Sequence, residues 1–93
     1  MDIFSDPGPA RREALAARYR ALLTDARRAG GVIPGHLSGG EREVLAALLS
    51  GAEPDAAVCQ RLAPGIFGLR AAEADPAAAE ARARVWLQDV ARG

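Results

Sequence analysis

His36 and Cys59 are the only histidine and the only cysteine in this chain, and lysine is absent. A general base, a nucleophile or a metal ligand works only with partners held within bonding reach. His36 sits in a Pro-Gly turn whose near neighbours are apolar residues or glycine, which leaves Glu41 and Glu43 as longer-range partners. Cys59 lies between Val58 and Leu62 on an apolar face. No histidine or lysine adjoins it to lower its pKa, so a buried, inert thiol is expected. No catalytic set, metal site or cofactor is expected, and the chain reads as a binding protein rather than an enzyme.

Two short stretches resemble known motifs. Leu37-Ser38-Gly39-Gly40-Glu41 is similar to the signature motif of ABC-type ATPases, which offers backbone amides and a serine to a nucleotide held by another subunit. The phosphate loop GxxxxGK[ST] that would complete such a site is missing and cannot be formed without lysine. The same residues have capping-box spacing, in which a serine oxygen accepts from the backbone three residues on and the glutamate reaches back.

Leu37-Ser38, Glu41-Arg42-Glu43-Val44-Leu45, Leu48 and Gly51 resemble the opening of the LuxR-type helix-turn-helix domain. That resemblance implies a DNA-binding transcriptional regulator with a recognition helix in the major groove, and this is the alternative function. Leu62 falls one residue late for the family's second helix. Pro64-Gly65-Ile66-Phe67-Gly68 stands where a polar recognition helix should begin. Arg70 is the side chain there that would reach bases or phosphates, and Glu73 and Asp75, which follow, repel phosphates.

Twelve arginines balance twelve carboxylates over 93 residues. Nucleic-acid binders and membrane-surface helices usually carry a basic excess, so neither partner is favoured by overall charge. Arginine without lysine reflects a GC-rich coding bias. One cysteine forms no internal disulfide. There is no signal-peptide pattern and no apolar run near the roughly 20 residues that cross a bilayer, so a cytoplasmic location and no membrane are expected. A chain this short buries roughly 60–65% of its unfolded surface, and alanine supplies nearly half of its apolar residues. The thin core is a motive for a partner, either another protein or a second copy.

The elements read as an all-α bundle of four to five helices: a lead-in over 1–9, free to fray, and a single helical domain over 10–93. Ile3 and Phe4 in the lead-in either tuck back onto the bundle or fray. A helix over about 10–29 carries Leu15, Tyr19, Leu22, Leu23 and Ala26 on one stripe and stops at Gly30-Gly31. Val32 to Leu37 is a connector with apolar anchors. A second helix begins after Ser38 and ends at Gly51, with Val44, Leu45, Leu48 and Leu49 inward. Pro54 suits a first helical position, and the third helix should run to Ala63, where Pro64-Gly65 breaks it. Ile66-Phe67-Gly68-Leu69 then opens a further turn or two through Ala74. Asp75-Pro76 starts the last helix, with Ala79, Ala83, Trp86, Leu87 and Val90 inward and Glu80–Arg84 as an i,i+4 pair.

The functional expectation is a non-enzymatic interaction module, such as an adaptor, chaperone-like or regulatory subunit. The residues assigned to partner binding are Ile66, Phe67, Leu69 and Trp86, rimmed by Arg18, Arg20, Arg27 and Arg28. Glycines flank Ile66 and Phe67 and permit a turn that aims them either into the core or outward. Trp86 is open to the same two readings, core or interface.

Overall fold

In a computed structural model, which describes residues 6–51 and 53–92, the chain forms five helices and, among the described residues, no strand. They are α1 (Pro9–Arg28), α2 (Gly39–Ser50), α3 (Ala56–Phe67), α4 (Leu69–Ala74) and α5 (Pro76–Arg92). Ile3 and Phe4 lie outside the described residues. The radius of gyration is 13.0 Å, close to the roughly 12–13 Å of a folded chain this long. The all-α bundle is therefore the fold.

Local chemistry sets most of the helix ends. The Ser38 hydroxyl accepts the Glu41 N–H at 3.2 Å, and the Glu41 carboxylate accepts the Ser38 N–H at 3.3 Å, completing the capping box. Ser38→Ala should lower the unfolding free energy by about 1 kcal/mol, read as a lower urea midpoint at an unchanged slope. At the other end of α2, Gly51 closes the helix in the left-handed conformation. Asp75 caps α5, its carboxylate accepting from Ala78 N–H at 3.1 Å, and Pro76 occupies the first turn, where its missing N–H costs nothing. At the end of α1 the Gly31 N–H reaches back to the Ala26 carbonyl at 2.7 Å. Gly31 can do so because φ is 91°, a region that side chains rarely adopt.

The third helix departs from expectation at both ends. It starts at Ala56 rather than Pro54, because Asp55 is the cap: its carboxylate accepts the Ala57 N–H at 2.7 Å. It also runs through Pro64-Gly65 to Phe67 instead of stopping at Ala63. An interior proline costs about 3 kcal/mol, through one lost hydrogen bond and a clash with the preceding turn. Continuing the helix buries Ile66 completely and leaves Phe67 6% exposed, and full burial of each such side chain is worth about 1.5–3 kcal/mol. Burial outweighs the break.

Helices α3 and α5 pack against each other most extensively, α1 lies against α2 and α5, and α4 closes one side on α3 and α5. The shared core contains Tyr19 and Leu23 of α1, Val44, Leu45 and Leu48 of α2, Val58, Cys59, Ile66 and Phe67 of α3, and Ala83, Leu87 and Val90 of α5. Leu15, Leu22, Leu49, Leu62 and Trp86 pack against it half-buried. Leu37 is buried and Ile33 half-buried, so the connector is anchored as its apolar residues suggest. Arg42 ties that connector down by donating to the carbonyls of Leu37 and Gly35. No described helix is long and apolar enough to cross a membrane.

Candidate functional site

The residues expected to do partner binding do not form one surface. Ile66 is fully buried and Phe67 nearly so, both in the last turn of α3, so neither is an outward knob. The cause is the continued helix, which turns both side chains onto the core. Leu69 is half-buried on α4. Arg18 lies against the Glu41 carboxylate, with Nε–Oε2 at 3.1 Å, and Arg20 pairs with Glu13 at 3.4 Å while its buried Nε finds no hydrogen-bond partner among the described residues. Arg27 and Arg28 are exposed in the last turn of α1, where cations suit the helix dipole.

Two expected residues, Phe67 and Trp86, do line an open site. Trp86 borders a groove of about 550 Å³ between the first turns of α1 and the middle of α5, with Phe67 at its base. Trp86 meets Tyr19 edge to face, ring centroids 6.1 Å apart and planes at 85°. Val85 beside it is 57% exposed. Val85 and Val32 are the large hydrophobic residues left exposed among the described residues. Helix α5 exposes Val85 because its buried stripe runs through Ala79, Ala83, Leu87 and Val90. Residues 82, 85, 86 and 89 recur at three- and four-residue steps on a neighbouring stripe.

The charged rim of this groove differs from the expected one. Arg82 lies over the Phe67 ring with its guanidinium carbon 4.0 Å from the centroid, and Arg12 approaches the same ring at 5.4 Å. A guanidinium over a ring within about 6 Å is attracted by the ring's negative face. Arg12 also donates to the Ile66 carbonyl at 3.4 Å and pairs with Asp6. Asp6 accepts the Gly8 N–H at 2.8 Å, and that bond, followed by the Arg12 guanidinium, holds its carboxyl below the usual range. Arg82 makes no ion pair among the described residues. Arg27 stands about four turns, or roughly 22 Å, along α1 from Arg12, beyond the reach of anything in the groove.

Cys59 is covered, and the carboxylates nearest His36 in sequence are paired. Cys59 is fully buried, and burial pushes its thiol pKa up, leaving little thiolate at neutral pH. His36 is exposed. Glu43 is paired with Arg61, and Glu41 is held below the usual carboxylate range by Arg18 first and then by the Ser38 N–H. Neither carboxylate is a free base for His36. No group of three or more His, Cys, Asp or Glu side chains is placed to hold a metal among the described residues.

Where the helix-turn-helix resemblance puts a recognition helix, the structure has the last turn of α3 and then α4, six residues long, with Arg70 and Glu73 both exposed. Sequence reasoning missed Arg82 and Val85, and counted Arg12 among the arginines of the first helix without assigning it to the rim. The signal available for Arg82 and Val85 was the spacing Arg82, Val85, Trp86, Asp89 on one helix. No protein-family model matches the chain, and no curated protein or solved structure does either, so a functional reading rests on this groove.

Proposed function

We propose that this domain is a non-enzymatic protein-interaction module that docks a partner in the groove between α1 and α5. The observation that carries the reading is Val85, an exposed aliphatic side chain beside half-buried Trp86 in a groove floored by Phe67. Exposed apolar residues scattered singly are ordinary; a contiguous concave set with a polar border marks a docking site. Tryptophan and arginine are also the side chains that most often dominate binding energy when a partner covers them. Arg12 and Arg82 form the border here, already fixed over Phe67, so little side-chain freedom is lost on binding. The partner segment that suits such a groove is an amphipathic helix laying its apolar face on Val85 and Trp86.

A photo-crosslinking residue placed at position 85 tests this in the source cell. It should join the chain to another polypeptide, whereas the same residue at exposed Ala57, outside the groove lining, should not. Val85→Asp should weaken capture at least tenfold while leaving the unfolding midpoint nearly unchanged, because exposed substitutions usually alter stability by less than about 0.5 kcal/mol. Equal capture by Val85→Asp and the parent chain would defeat the proposal.

A further inference from the structure

We infer that the groove's occupant is a second copy of this chain, joined through an antiparallel pairing of two α5 helices about a two-fold axis between Val85 and Trp86. This rests on the groove being a docking surface and adds which partner fills it. The observation behind it is a self-complementary order of side chains. Along one stripe of α5 the groove meets Arg82, then Val85 and Trp86, then Asp89.

In two antiparallel helices related by a two-fold axis at that midpoint, each residue faces the one equally distant on the other side. Arg82 then faces the partner's Asp89, Asp89 faces the partner's Arg82, and Val85 faces the partner's Trp86. At 1.5 Å rise per residue the charges stand about 5 Å to either side of the axis. An isologous interface requires this reciprocity, in which each contact occurs twice.

The charges are available for it. Arg82 stands in no close ion pair among the described residues: its guanidinium rests on Phe67, and Asp6, whose carboxylate is taken by Arg12, feels the Arg82 charge least of its neighbours. Asp89 is 59% exposed and, among the described residues, its ion-pair partner is the 78% exposed Arg92 at 3.5 Å. The remaining charged groups that line the groove, Arg12 and Glu13, are matched within the chain by Asp6 and Arg20. A parallel pairing would instead put Arg82 beside Arg82 and Asp89 beside Asp89, and like charges opposed in this way are unfavourable. The pattern therefore selects one orientation of one occupant.

Analytical ultracentrifugation of the full chain over a range of concentrations tests the inference. The parent should show a monomer–dimer equilibrium. Arg82→Glu and Asp89→Arg should each weaken it tenfold or more, since each substitution opposes like charges at two places. The double variant Arg82→Glu/Asp89→Arg should recover the dimer, because both pairs are restored with their signs exchanged. An equimolar mixture of the two single variants should form a heterodimer, each supplying the charge that the other lacks. Circular dichroism confirms that each variant is folded, and recovery in the double variant excludes a folding defect as the cause of the losses.

A parent chain that stays monomeric to millimolar concentration overturns the dimer, as does a dimer indifferent to both exchanges. If position 85 then crosslinks to a different protein, the groove still docks a partner and only the self-pairing has failed. If position 85 crosslinks to nothing, both readings fall.

Discussion

Ile66→Ala is expected to destabilise the domain by about 2–5 kcal/mol, the range for emptying a buried aliphatic site that relaxes only in part. A domain of this length is stable by only about 5–14 kcal/mol, so the substitution removes a large share. The physical reason is local as well as general. Ile66 has no exposed surface, and its burial is part of what carries α3 past Pro64. Truncating it leaves the proline's cost in place while removing the compensation, so the last turn of α3 should loosen as the cavity forms. Urea unfolding followed by the fluorescence of Trp86, the single tryptophan, reads the loss directly. A change below about 1 kcal/mol would mean that Ile66 is not a core residue.

Ala83→Leu should be damaging in the opposite sense. Ala83 is fully buried on α5, Ala63 of α3 is 1% exposed, and these two helices form the most extensive packing in the domain. Small side chains let backbones approach closely, and added methylenes in a filled core force off-rotamer side chains and backbone shifts worth about 1–3 kcal/mol. Ala81→Leu, at an exposed position on the same helix, is the comparison: its effect should stay within about 0.5 kcal/mol. Thermal unfolding of the two variants should separate them by several degrees. Equal melting temperatures would show that the α3–α5 contact has room that burial does not reveal.

What could be read from the residues depended on the distance over which each one acts. Ser38, Glu41, Asp75 and Pro76 act within one turn of their own backbone, so the starts of α2 and α5 were legible. Ala79, Ala83, Leu87 and Val90 recur with the helical period, and the buried stripe of α5 followed. The end of α3 did not, because Pro64 is a local signal and the burial that overrides it comes from residues distant in sequence. The seats of Arg12 and Arg82 were illegible for the same reason. Nothing near either in the chain announces that both will meet the ring of Phe67. Trp86 was assigned to the inner stripe and also to partner binding; it lies between the two stripes of α5, half-buried against Tyr19 and facing the groove.

Gly68 joins α3 to α4 with no intervening loop. Its N–H bonds the Pro64 carbonyl at 3.0 Å, its own carbonyl accepts from Ala72 at 3.2 Å, and φ is 93° with ψ at 147°. That corner of conformational space is essentially closed to any amino acid with a Cβ. A single methyl group added there would strain one helix's stop and the next helix's start at once, with no slack residue to absorb the displacement. The bend is a rivet shared by two beams, and the chemistry of one α-carbon decides whether both stay fastened.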